Sequence, residues 1–303
     1  MTAVAAAASA QAIAVPHLAA RVGYAIAGGQ QQLDATKPTL ALMVPFCSTV
    51  DFYGAQLASE KLQQAANLVA IEPLGHGATT CDSEHFTYWD SALAALQALR
   101  ALGVEKAYVL GASQGGWIAV RMALLRPDVV LGLITLGTSM DAETADSRSK
   151  GCWDPAPFVT PFLEKWRSIA TTPDFVVGDD WIQPVLGLGL GAANTPDINE
   201  PWTKIFRRVY SGAEGLRKLR MATICIAERD GLLYRLGDVK CPIHWLHGTD
   251  DPVFGTVVPA EHIKLFTGSK DAKLEFLEGG CHFLNISHPK EAEAAILAMV
   301  TKS

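Results

Sequence analysis

Short apolar runs alternate with segments of helical period along most of this chain. Residues 39–44, 67–71, 107–110 and 129–136 are runs of the length and composition of buried strands. Between them, residues 51–65, 87–102 and 114–125 repeat their apolar positions at helical spacing, with Asp51 placed as a cap for the first. The alternation stops near residue 141. It resumes with a strand at 241–246, a helix at 259–266, a strand at 274–277 and a helix at 289–300. This order predicts an α/β fold: a predominantly parallel sheet with helices on both faces.

The interruption at 141–235 has a different texture. Trp153, Phe158, Phe162, Trp166, Phe175, Trp181, Trp202, Phe206 and Tyr210 lie there among prolines and glycines. Such a segment supplies no sheet strands, but it can fold as a mainly helical lid over one edge of the sheet. Most of these rings are expected to form the lid's own core, with a few facing a pocket; Trp181 is the leading pocket candidate. The chain then divides into a core, 21–140 with 236–303, and a lid, 141–235. Residues 1–20, rich in alanine and without Lys or Arg, are expected to be a loose tail and not a secretory signal.

Composition narrows the partners. With 303 residues, 49% hydrophobic and 18% charged, the chain can bury a large core. A net charge of −6 argues against nucleic acid or an anionic membrane. The densest basic stretch, 204–220, reads as a solvated helix face. Residues 129–140, closed by Asp128 and Asp141, are too short to span a bilayer. The six cysteines (47, 81, 152, 225, 241 and 281) form no C-x-x-C pair and sit mostly in apolar segments. That fits free thiols in a cytoplasmic setting.

The candidate chemistry begins at Gly111-Ala112-Ser113-Gln114-Gly115. This G-x-S-x-G string follows one predicted strand and opens a predicted helix, the context in which it places a serine on a tight turn. Small residues on either side admit the turn, and the helix N-terminus is aimed at the point where negative charge would develop. A serine hydroxyl needs a base, and neutral histidine has the right basicity near pH 7. His282 fits, because a short Gly-rich loop after the last strand can carry it over Ser113. His288, beside Pro289, is placed to begin the terminal helix. A metal role is poorly supported, since His244 and His247 fall on opposite faces of a strand without a ligand cluster. Cys47 reads as a packing residue.

The chain resembles the α/β-hydrolase family over roughly residues 20–303. Glu72-Pro73-Leu74-Gly75-His76-Gly77 is similar to the family's D-x-P-G-H-G turn after the fourth strand, with Glu in place of Asp. Residues 241–251 are similar to its seventh strand and acid turn, and Gly280-Cys281-His282-Phe283 to its histidine loop. The order serine, acid, histidine is also the family's. The resemblance places the lid between strands six and seven. Its spacing after Gly248 selects Asp251 as the acid, with Asp250 a turn residue; some relatives instead use the position of Asp141. It implies an oxyanion hole from the backbone N–H groups of Phe46 and Gln114, since Pro45 has no N–H. The implied reaction is acyl-enzyme hydrolysis of a medium-sized, mainly apolar ester or lactone, with no cofactor. Alternatives are a C–C bond hydrolase or an acyltransferase on the same triad, and a ligand-binding shell without turnover. Labelling of Ser113 by a fluorophosphonate separates the last from an enzyme.

Overall fold

Buried apolar runs must still satisfy their backbone donors and acceptors, and here they do so by pairing with one another. The computed structural model describes residues 10–30 and 32–301. Eight strands form one sheet in the order β1-β2-β4-β3-β5-β6-β7-β8. They are β1 Gln11–Ala14, β2 Arg21–Ile26, β3 Thr39–Met43, β4 Asn67–Ile71, β5 Ala107–Ala112, β6 Val130–Leu136, β7 Ile243–Gly248 and β8 Ala272–Leu277. The β1–β2 and β2–β4 pairs are antiparallel, and all others are parallel. β3 and β4 are buried at every position, which is why they read as continuous apolar runs and not as alternating ones.

The helices are α1 Gly54–Ala58, α2 Glu60–Ala65, α3 Tyr88–Ala101, α4 Gln114–Leu125, α5 Ala145–Ser149, α6 Ala156–Ser168, α7 Asp179–Leu190, α8 Pro196–Tyr210, α9 Gly212–Ala227, α10 Val257–His262, α11 Leu284–Ser287 and α12 Pro289–Val300. Successive strand residues point to opposite faces, so the sheet divides the core in two. Met43, Val69, Val109 and Trp245 cluster with Leu96 of α3 and Trp117 of α4. Leu42, Leu68, Leu110 and Ile134 cluster with Ile296 and Met299 of α12. Thr87 starts α3 with a reciprocal cap: its hydroxyl accepts the Asp90 N–H while the Asp90 carboxylate accepts the Thr87 N–H.

Two expectations need correction. The loose tail expected over 1–20 contains β1, paired with β2 from Gln11–Tyr24 to Ala14–Arg21. A short Ala-rich strand has little preference for extended backbone. Its support is the pairing, the burial of Val15 and Ala20, and a 2.8 Å contact of His17 Nε2 with Asp90 Oδ1. Residues 1–9 lie outside the described residues. The helix expected over 51–65 is broken into a 3-10 turn, α1 and α2, and Asp51 does not cap it. Thr49 Oγ1 accepts the Asp51 N–H at 3.3 Å, and Ser59 Oγ starts α2 by accepting the Leu62 N–H at 3.3 Å.

Helices α5 to α9 all lie between β6 and β7 in the chain. Their rings pack on one another, as Trp181 does on Phe158, Phe162 and Trp166, and this packing is continuous with the core of the sheet. Trp166, Trp181, Trp202, Phe206 and Tyr210 belong to the same buried cluster as Leu42, Phe52 and Phe283 of the sheet and its loops. The basic stretch in α8 and α9 is paired along the surface: Arg207 with Asp179, Arg208 with Asp51, Arg217 with Glu84. No helix among the described residues is long and apolar enough to cross a membrane.

Candidate active site

Ser113 is the single residue between β5 and α4, and it sits at φ 51°, ψ −122°. Side chains other than glycine rarely adopt this conformation, so the turn is strained and its surroundings must hold it. The flanking sequence is written by contact distances. A Cβ on Gly111 would lie 2.1 Å from the Gly115 carbonyl oxygen, and one on Gly115 would lie 2.2 Å from that of Met43 in β3. The Ser113 N–H donates to Leu136 O at 2.9 Å, and the Thr138 hydroxyl donates to Ser113 O at 2.8 Å. The turn is thereby fastened to the end of β6 and the residues just beyond it.

Asp251 follows β7 and is buried. Its Oδ1 accepts the N–H groups of Val253 at 2.8 Å and Phe254 at 3.2 Å. Its Oδ2 lies 2.8 Å from His282 Nδ1. Burial alone would raise the Asp251 pKa; the nearby His282 charge and its hydrogen bond, with His247 and the backbone amides, outweigh that and lower it. An ionised Asp251 accepts from His282 Nδ1–H, which leaves Nε2 as the basic nitrogen. The His282 ring lies between those of Phe254 and Phe283, each 5.5 Å away.

Ser113 and His282 line one narrow, largely apolar cavity. They share it without a direct hydrogen bond. Free enzymes often keep this contact loose until substrate is bound. Phe46, Phe158, Val185, Leu188, Phe254 and Phe283 make most of its wall apolar. Phe46 lies beyond β3, and neither its N–H nor that of Gln114 is engaged by another described residue.

The other candidates fall elsewhere. Asp141 lies beside the start of α5: its Oδ2 accepts the hydroxyls of Thr144, the helix's N-cap, at 2.8 Å, and of Ser147, and it makes no bond to His282. Asp250 is an exposed turn residue. Cys47 is buried with φ 54°, and burial pushes its thiol far above the ordinary range, so it is no nucleophile. Trp181, expected to face the pocket, is fully buried one layer behind it. It stacks on Phe158 at 4.9 Å and meets Phe46 edge-on at 5.9 Å, and those two rings line the cavity in its place.

Two residues were not singled out by sequence. Arg229 is a charged residue on the cavity wall, held by Glu143 and lying 4.3 Å over the Trp117 ring. In the string Glu228-Arg229-Asp230 nothing marks it as buried. His247, set aside as a metal ligand, is completely buried with Nε2 3.6 Å from Asp251 Oδ2, and burial lowers its pKa.

The profile of a family described as alpha/beta hydrolase fold matches residues 46–152. No curated protein sequence matches the chain. Solved structures are similar over nearly its whole length. A hydrolase from Pseudomonas aeruginosa has a TM-score of 0.74 at 22% identity, covering 97% of this chain and 98% of its own. The enol-lactonase from Burkholderia xenovorans has a TM-score of 0.76 at 16% identity, covering 96% and 100%. A thermophilic esterase from Thermogutta terrifontis, with malate bound, has a TM-score of 0.74 at 16% identity, covering 96% and 98%.

Proposed function

The chain has the α/β-hydrolase fold, and from that premise we propose that it is a serine hydrolase of carboxylic esters or lactones, with Ser113, His282 and Asp251 as its triad. One observation carries the reading: a strained serine and an Asp251-bound histidine open onto the same apolar cavity. His282 Nε2 removes the Ser113 hydroxyl proton as Oγ attacks the substrate carbonyl. The resulting oxyanion is held by the N–H groups of Phe46 and Gln114 at the start of α4. Collapse of the intermediate breaks the C–O bond, and His282 passes its proton to the leaving alcohol. Water, deprotonated by the same histidine, then attacks the acyl-enzyme and releases the acid. In a lactone the alcohol stays tethered to the acyl group.

Residues 141–235 act as the lid over the core of 21–140 and 236–303. Phe158, Val185, Leu188 and Ile226 bring the lid into the cavity wall and favour a medium-sized apolar acyl or alcohol group. Six free cysteines fit a cytoplasmic enzyme. The test is Ser113→Ala with fluorophosphonate labelling of the wild type. Deleting one oxygen leaves the turn's packing intact, and ester hydrolysis should fall by about 10⁴-fold or more. A variant keeping a tenth of wild-type activity refutes the assignment.

A further inference from the structure

The turn Glu72-Pro73-Leu74-Gly75-His76-Gly77 takes no chemical part in the reaction proposed above, yet it touches both loops that carry the oxyanion donors. His76 is buried beneath the site, with 2% of its surface exposed. Its Nδ1 lies 2.9 Å from the Leu74 carbonyl oxygen. A carbonyl oxygen only accepts, so Nδ1 carries the proton. Burial pushes the His76 pKa down to about 4, and the ring is neutral at pH 7. Its Nε2 is therefore an acceptor, and it receives Gln114 Nε2–H at 2.9 Å. The same ring meets that of Phe46 edge-on at 6.2 Å. At the other end of the turn, Glu72 accepts the N–H groups of Val50 at 3.0 Å and Ala78 at 2.6 Å, which ties down the loop after β3.

We infer that His76 is a positioning residue of the oxyanion hole: its single tautomer anchors the Gln114 side chain and braces the Phe46 ring, setting two backbone N–H groups toward one oxygen. The inference rests on the triad reading above. Oxyanion donors stabilise a developing charge only when they are set in place before it forms. Gln114 is 1% exposed, and without His76 its buried amide would seek another partner and drag the first turn of α4 with it.

The experiment compares two substitutions that differ in reach. His76→Asn keeps a donor for Leu74 O but cannot reach Gln114, whereas His76→Gln places an acceptor where Nε2 stood. His76→Asn should lower kcat on a small activated acetate ester by about tenfold at unchanged KM. It should weaken phenylboronic acid, which forms a tetrahedral adduct on Ser113, by the same factor; His76→Gln should recover most of both. Gln114→Ala, which retains its backbone N–H, should show the same loss, and the His76→Asn/Gln114→Ala pair no more than either alone. Should His76→Asn fail to fold, Gln114→Ala carries the test. Unchanged kcat and boronate affinity in a folded variant, a loss confined to KM, or a Gln no better than the Asn would overturn the inference. Fluorophosphonate labelling of the wild type is measured first. An unlabelled wild type overturns the triad reading and this inference with it, while a labelled one with unaffected variants removes only the role of His76.

Discussion

Asp251→Asn is the most discriminating perturbation of the site, because the structure dictates which way the new amide points. Oδ1 sits between two donors, the N–H groups of Val253 and Phe254 at 2.8 and 3.2 Å. The asparagine carbonyl must remain there, so its NH₂ replaces Oδ2 and faces His282 Nδ1, now 2.8 Å from the carboxylate. A donor opposite Nδ1 forces that nitrogen to accept and moves the ring proton to Nε2. No base is then left for Ser113, and the imidazolium formed during attack loses its counter-charge. In the Ser-His-Asp template this change costs about 10⁴ in kcat, or roughly 5 kcal/mol of barrier. The assay is kcat on a small activated acetate ester, with thermal unfolding to establish that the fold survives. Asp141→Asn serves as the control. It disturbs the start of α5, where Thr144 and Ser147 bond to the carboxylate, and should leave kcat within about threefold. An Asp251→Asn enzyme with more than a tenth of wild-type kcat, or an Asp141→Asn enzyme that is the worse of the two, would refute the reasoning.

The cavity wall and its backing should respond differently. Phe158→Ala removes a lining ring and should lower kcat/KM for a bulky ester by one to two decades, from roughly 1.5–3 kcal/mol of lost burial, while sparing a small acetate ester; an equal fall on both would exclude substrate contact. Trp181→Ala removes a ring packed on Phe46, Phe158, Phe162 and Trp166 and should cost about 3–5 kcal/mol in urea unfolding, so a wild-type midpoint would contradict its placement. His76, with its folded pKa lowered to about 4, binds protons less readily than an unfolded histidine near 6.5, so stability falls as pH drops through that window. The wild type should lose about 3 kcal/mol more than His76→Gln between pH 7 and 4, and parallel stability curves would be the contrary result. Arg229→Met strands the buried Glu143 carboxylate at a cost of about 3–5 kcal/mol, and adding Glu143→Gln should restore most of it; a double variant as unstable as the single would show that the pair is not the cause.

The parts of the fold legible in the sequence are those where local pattern and tertiary demand agree. The ranges read for α4 and α12 coincide with the observed Gln114–Leu125 and Pro289–Val300. β3 and β4 were legible because strands covered on both faces need unbroken apolar runs. β1 was not, since a four-residue Ala-rich strand is stabilised only by a neighbour that periodicity does not show. The Ser113 turn was readable for a backbone reason: the two close approaches around it can be met only by glycines at 111 and 115, so the geometry is spelled in the letters. No comparable constraint marks Arg229 or His247. Arg229 is buried by Glu143 and Trp117, far away in sequence, and His247 lies on a strand whose neighbours its own letters do not show, so an isolated Arg or His looks the same inside or out.

Helix α7 explains why the residues between β6 and β7 were the hardest to place. Trp181, Val185 and Leu188 follow one another along a single helical stripe, and periodicity correctly joins them as one apolar face. That face runs across two environments. At Trp181 it is pressed against Phe158, Phe162 and Trp166 and fully buried; one turn on, Val185 and Leu188 reach the cavity. The position along the axis at which packing gives way to open space depends on where Phe46 and the other rings beyond the sheet end, and the period of the helix contains no such coordinate. The size that makes Trp181 look like a ligand contact in the sequence is the property that buries it. A tryptophan fills a deep gap between helices more completely than any other side chain, and the smaller residues after it are left to meet the substrate.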